Sequence, residues 1–263
     1  MVTQQSKAET FQALHSGEAF VIPNPWDAGS ARVLAGLGFK ALATTSSGFA
    51  FTLGRRDGRV TLDEVCEHAR RLDEATDLPL SVDLENGYGP EPESAALAVA
   101  RVSQTGAVGA SIEDYDPNGF IYARSHAVER VSAAADAART FGFPFMLTAR
   151  AENHIRGNPD LDDTIERLQA FEAAGADVLY APGLRTSDEI RAVCDAVSKP
   201  VNVLTRPEFT VAQIAEAGGR RISFGGRLTW IAVQAMVETA VEIRDRGDLS
   251  VLDARPPLDE WLS

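Results

Sequence analysis

Residues 79–114, PLSVDLENGYGPEPESAALAVARVSQTGAVGASIED, decide the fold. The run 79–85 is a short apolar stretch ending in acids, and a turn rich in glycine and proline follows it. Residues 92–106 then place apolar side chains at helical spacing and close on Gly106, before a second apolar run, 109–114, again ends in acids. This is a strand, a helix and a second strand, and a helical crossover of that length makes the two strands parallel.

The pattern repeats in both directions. Further strands are read at 19–24, 41–46, 145–150, 178–183, 200–205 and 220–225, with amphipathic stretches at 27–38, 61–75, 126–142, 162–175, 186–197 and 210–218 between them. A last helix, 228–247, follows the final strand. Eight strands with interleaved helices predict an α/β protein, a (β/α)8 barrel. An open doubly wound sheet would bring fewer strands and a glycine-rich phosphate turn, and neither GxGxxG nor GxxxxGK[ST] follows any strand. With no linker or low-complexity stretch, residues 1–263 read as one domain, and 44% hydrophobic residues can fill one large core.

Charge narrows the function. A formal net charge of -13 repels phosphate backbones, and no arginine cluster offsets it locally, so nucleic acid is not an expected partner. No segment has the length of a membrane span and the first residues lack a basic-then-apolar leader, which predicts a cytoplasmic protein. Cys66 and Cys194 fall in helical segments without metal-ligand spacing and read as small packed side chains. Segments 49–60 and 115–125 are long for strand-to-helix loops and are candidate lids.

In this fold the site lies at the C-terminal ends of the strands. There, alternation puts Asp83 and Glu85 on one side of the third strand, Glu113 and Asp114 end the fourth, and Arg150 ends the fifth. Acids sharing one mouth repel each other unless a cation neutralises them, and hard oxygen ligands select magnesium or manganese. Pairing with arginines or capping of helices is the competing reading, and it suits Asp114 better than Glu113. Arg150 offers a planar fork for a carboxylate or phosphoryl group. Thr45, Ser46, Ser47 and Gly48 offer hydroxyls and backbone donors to an anion, or form a polar loop entry. Among the histidines, His154 is a candidate acid or base near the mouth, or a structural residue, His126 starts a helix, and His15 and His68 are expected in solvated peripheral positions.

The runs SVDLENGYG (81–89), SIED (111–114) and LTAR (147–150), with their spacing, resemble the isocitrate lyase/phosphoenolpyruvate mutase superfamily. NPWDAGSARVLAGLGFKALATTSSG (24–48) is similar to its first unit and second strand, and LGRRDGRVTLDEV (53–65) to its mobile gating loop, so the resemblance covers about positions 20 to 230. It implies a divalent metal held by Asp83 directly, and by Glu85 and Glu113 partly through water. It implies catalytic parts for Asp57, Glu113 and Arg150: Asp57 closing over the substrate, Arg150 gripping it. Thr45, Ser46, Ser47, Gly48 and Asp83 would contact the substrate, and the C-terminal helix would be exchanged between subunits of a homodimer or homotetramer.

Two departures shape the expected activity. The catalytic-cysteine loop K[KR]CGH of the isocitrate and methylisocitrate lyases is missing, and YDPNGFIYARS (115–125) stands where the mutases carry a lysine and an asparagine. The expectation is a magnesium- or manganese-dependent lyase that cleaves or forms a carbon–carbon bond beside a small 2-oxo acid or its precursor. The alternatives are phosphorus–carbon chemistry and a non-catalytic protein binding a 2-oxo acid such as 2-oxoglutarate. An imine mechanism is not expected, because Lys7 precedes the barrel and Lys40 and Lys199 precede strands, at the face opposite the site.

Overall fold

The computed structural model describes residues 2–262. Eight strands form one parallel sheet: β1 (Phe20–Ile22), β2 (Leu42–Ala43), β3 (Leu80–Asp83), β4 (Gly109–Glu113), β7 (Met146–Arg150), β8 (Val178–Tyr180), β9 (Val201–Leu204) and β10 (Arg221–Ser223). They are ordered β1-β10-β9-β8-β7-β4-β3-β2. The Ala43 N–H donates to Pro23 O at 3.1 Å across the remaining seam, so the sheet curls into a nearly closed (β/α)8 barrel.

The helices are α1 (Gln4–Ser16), α2 (Ala28–Gly36), α3 (Ser46–Thr52), α4 (Leu62–Ala75), α5 (Pro92–Ser103), α6 (Arg124–Ala138), α7 (Leu161–Ala173), α8 (Ser187–Ala196), α9 (Val211–Glu216), α10 (Arg227–Arg246) and α11 (Leu258–Leu262). Reciprocal capping boxes start four of them, pairing Asp27 with Ser30, Thr61 with Glu64, Thr186 with Glu189 and Thr210 with Gln213. Each satisfies two backbone donors that a helix start would otherwise leave orphaned, which fixes where the chain turns back along the sheet. The main core fills the layer between strands and helices, from Leu34 and Leu42 through Val82, Leu84 and Leu147 to Leu168, Phe171 and Ile222.

A second apolar cluster closes the other end. Helix α1 lays Ala8 and Phe11 against Ile22, Ala41, Val108, Met146 and Val178, of which all but Ile22 are at or beside the N-terminal ends of strands. A Cβ on Gly109 would come within 2.9 Å of the Phe11 ring and 2.8 Å of Met146 O, so glycine is what lets the plug seat. Burying Phe11 fully contributes roughly 1.5–3 kcal/mol and leaves the barrel open only at the C-terminal ends of its strands.

Several local expectations change. The second strand stops at Ala43, and Thr45 caps α3, which occupies the first part of the candidate lid 49–60. The stretch 115–125 contains a two-stranded antiparallel hairpin of β5 (Tyr115–Asp116) and β6 (Phe120–Ile121), and α6 begins at its end. His15 and His68 are buried rather than solvated: His15 packs edge-on between Phe11 and Phe20, and His68 stacks on Phe49. Among the described residues no helix is long and apolar enough to cross a membrane.

Candidate active site

A cavity of about 160 Å³ opens at the C-terminal ends of the strands and is bordered by Thr45, Ser46, Ser47, Asp57, Asp83 and Arg150. Ser46, Asp57 and Arg150 also border a cavity of about 350 Å³ beside it, to which Glu85, Glu113 and Arg156 contribute. Most residues singled out in the sequence are therefore gathered around two adjoining hollows; Asp114, His154 and Gly48 are not among those that line them. Gly48 lines neither; its N–H donates to the Thr45 hydroxyl at 3.4 Å, and a Cβ there would meet Thr229, Thr45 and Trp26. Its contribution is close packing of α3 against α10.

Arg150 organises the mouth. From the end of β7 its Nη1 reaches Asp83 Oδ1 at 3.0 Å and its Nη2 reaches Glu113 Oε2 at 2.9 Å and Glu152 Oε1 at 2.8 Å, with Nε on the same Glu152 oxygen at 3.1 Å. Glu152, only 1% exposed, has its other oxygen 3.1 Å from Arg156 Nε, and its backbone N–H donates to Asp114 Oδ1 at 2.8 Å. Asp114 in turn takes Arg167 Nη1 at 3.0 Å, so it is a buried partner of an arginine and not a helix cap. Glu152 and Arg156 were not singled out in the sequence. The available signal was their spacing, two and six residues after Arg150 in RAENHIR: Glu152 reaches the Arg150 guanidinium, and Arg156, four residues further on, reaches Glu152.

The turn after β3 is strained. Glu85 has φ 48° and Tyr88 φ 62°, left-handed values that cost a non-glycine residue about 1–3 kcal/mol each. Between them Gly87, at φ 79°, brings the backbone so near α5 that a Cβ would lie 2.9 Å from Ala95 Cα. The fully buried Arg130 pins the turn by donating to the carbonyls of Asn86, Gly89, Pro90 and Glu91. The strand ends at Asp83, so strand alternation does not extend to Glu85; the left-handed step sets its carboxylate.

The mouth carries more acid than its arginines balance. Burial, then the charges of Asp83 and Asp57, push Glu85 up to about 8. Burial also raises Glu113 well above the usual carboxylate range, against the pull of Arg150. Asp57, at the tip of the loop after α3, is raised by desolvation and by Asp83, although Ser46 bonds to it and part of its surface remains open to solvent.

Asp83, Glu85 and Glu113 do not meet as a preformed ligand cage, since Arg150 stands between Asp83 and Glu113. Among the described residues no three acids, histidines or cysteines are gathered that way. The donor chemistry fits a hard cation held through one or two carboxylates and water, the usual habit of magnesium. Glu85 Oε1 is buried without a hydrogen-bond partner, and the acid excess around Asp57, Asp83 and Glu85 is what a cation would offset.

No lysine borders either cavity: Lys7 is buried in an ion pair with Asp73 at 2.8 Å, and Lys40 and Lys199 precede β2 and β9. The family model of phosphoenolpyruvate phosphomutase matches residues 11–244. The chain belongs to the isocitrate lyase/phosphoenolpyruvate mutase superfamily. It is thus an enzyme of the lyase and mutase class. An oxaloacetate decarboxylase of Bradyrhizobium diazoefficiens is 32% identical over 253 residues, covering 92% of this chain and 86% of its own. A solved candidate lyase/mutase from Burkholderia cenocepacia J2315 is 48% identical, with a TM-score of 0.94 over 98% of this chain and 95% of that one. Oxaloacetate acetylhydrolase in complex with its product oxalate is 27% identical, with a TM-score of 0.89 over 99% of this chain and 94% of that one.

Proposed function

We propose that this enzyme is a divalent-metal-dependent lyase that breaks or forms a carbon–carbon bond beside a small 2-oxo acid or its precursor, and that it works in the cytoplasm. The observation that carries this reading is the Arg150 fork. It is set between Asp83 and Glu113 at the junction of the two cavities, where a substrate carboxylate can displace part of its acid partnership. Thr45, Ser46 and Ser47 line the same hollow, and their hydroxyls are candidate donors to the carboxylate and oxo oxygens. Asp57 borders both cavities from an exposed loop, where it can cover the bound acid and exclude water.

Magnesium or manganese held by Asp83, with Glu85 and Glu113 acting through water, would supply the positive charge that stabilises an enolate as the neighbouring bond changes. Burial raises Glu113 and the Arg150 charge opposes that rise, so drawing Arg150 towards substrate would favour a proton on the Glu113 carboxyl. An imine route has no lysine at this face to support it.

The test is a metal-supplemented screen of 2-oxo acids and of 2-hydroxy di- and tricarboxylates, following pyruvate, glyoxylate and carbon dioxide. Phosphonopyruvate serves as the arm for phosphorus–carbon chemistry, and binding of 2-oxoglutarate without turnover as the arm for a non-catalytic role. Asp83→Ala is expected to lower turnover by roughly 10²–10³-fold with the circular dichroism unchanged. Full turnover in excess chelator would overturn the metal-dependent reading.

Helix α10 buries only Thr229 and exposes Trp230, Ile231, Met236, Val237 and Val241, an apolar surface that supports a homodimer or homotetramer with this helix exchanged into the interface. Light scattering should give at least twice the chain mass at micromolar concentration; a monomer would count against it.

A further inference from the structure

Beside the central cavity lies another, of about 300 Å³, whose chemistry the proposed reaction does not use. The two share Ile155 and Leu204 as lining residues. Past that apolar pair the walls turn basic, with His154, Arg185, Arg206 and Arg227.

These charges are poorly balanced. Neither Arg185 nor Arg227 has a carboxylate within ion-pair distance among the described residues; the Arg227 Nε donates only to Thr205 O, at 3.1 Å. Arg206 has Glu208 at 3.3 Å, and its Nε lacks a hydrogen bond of acceptable geometry. His154 is 4% exposed, and neither of its ring nitrogens has a hydrogen-bond partner. Glu189 Oε1 lies 4.0 Å from His154 Nε2, beyond hydrogen-bond reach, while its Oε2 accepts from the backbone N–H groups of Arg185 and Thr186 as the cap partner of α8. A buried imidazole with unmade hydrogen bonds is costly unless something supplies an acceptor. Two unpaired guanidinium groups beside it define what that acceptor is.

We propose that this cavity is a subsite for a second anionic group on the substrate, a carboxylate or phosphonate separated by a short apolar spacer from the 2-oxo acid head. The inference rests on the lyase reading of the neighbouring cavity and narrows its substrate class. The head sits against Arg150 and the Thr45–Ser47 hydroxyls, the spacer passes Ile155 and Leu204, and the distal anion meets Arg185, Arg206, Arg227 and His154.

Calorimetry on the magnesium-supplemented full-length protein tests this with 2-oxopentanoate, 2-oxoglutarate and 2-oxo-4-phosphonobutanoate. The doubly anionic acids should bind at least about tenfold more tightly than 2-oxopentanoate, and which of them leads tells carboxylate from phosphonate. The double variant Arg185→Gln/Arg227→Gln, altering exposed side chains, should abolish that advantage and leave 2-oxopentanoate affinity as it was. His154→Phe should reduce the advantage in part while keeping the buried ring volume. An absent advantage, or one that survives the double variant, overturns the subsite while leaving the lyase reading in place. Failure of every 2-oxo acid to bind overturns both.

Discussion

Two arginines stand at opposite ends of the barrel, Arg150 and Arg221, in opposite surroundings. Arg150 at the C-terminal end of β7 is wedged among Asp83, Glu113 and Glu152. Arg221, at the start of β10, donates instead to neutral groups: Nε to Asn202 Oδ1 at 2.8 Å and Nη2 to Thr148 Oγ1 at 2.9 Å, with Nη1 3.4 Å from His15 Nε2. The acids around Arg150 hold its guanidinium above its ordinary value despite burial, whereas burial brings Arg221 down to about 10. His15 completes the neutral network. Its Nδ1 contacts Phe11 O at 2.8 Å, which leaves Nε2 to face the arginine as an acceptor. At the plugged end, neutral partners satisfy one charge. At the open end, acids compete for a guanidinium, and a ligand can change who wins.

The largest expected effect tests that contrast directly. Arg150→Met leaves three buried carboxylates without their common partner and should cost about 3–5 kcal/mol in urea unfolding at neutral pH, with 2-oxo acid binding lost. Arg221→Met leaves only neutral acceptors unpaired and should cost about 1–3 kcal/mol. Equal costs would break the comparison, because the acids around Arg150 would then matter no more than amide and hydroxyl groups.

A smaller effect separates chemistry from stability within the mouth. Asp57 lies in an exposed loop with few packing contacts to lose, so Asp57→Ala should lower kcat by about 10²-fold and leave the melting temperature nearly unchanged. Unchanged kinetics would assign Asp57 to the solvated surface.

The smallest effect belongs to the plugged end. Burial first, then the Arg221 charge, bring His15 down to about 3, against 6.5 for a free histidine. Between those values the unfolded chain binds the proton and the folded one does not. This contribution to stability is therefore complete above pH 6.5 and is lost as pH falls towards 3. At pH 5 the loss is about 2 kcal/mol. The drop in unfolding free energy from pH 7 to pH 5 should accordingly be smaller in His15→Gln than in the wild type; an identical drop would mean that His15 is accessible to protons in the folded state.

Much of this molecule could be read along the chain, for a physical reason. Alternation of short apolar runs with amphipathic helices is a local signal, and parallel strands buried on both faces write it eight times, so strand count, order and barrel class were all legible. The C-terminal ends of those strands then nominated Asp83, Glu113 and Arg150. The readings that changed are those that depend on what lies opposite. His15 and His68 sit on helices with polar neighbours, and only packing against Phe11, Phe20 and Phe49 buries them. Glu85 was placed by strand alternation, whereas a left-handed turn held by Arg130, 45 residues further along the chain, sets its position.

By itself, then, the sequence determined the periodicity and the barrel class, since both follow from spacing between near neighbours. Tertiary structure alone decided that Arg150 bridges Asp83, Glu113 and Glu152, that Gly48 packs instead of facing the cavity, and that His154 joins three arginines around a separate hollow. Ion pairing and desolvation act over a few ångströms of space, and the residues that share that space here come from strands and loops far apart in the chain.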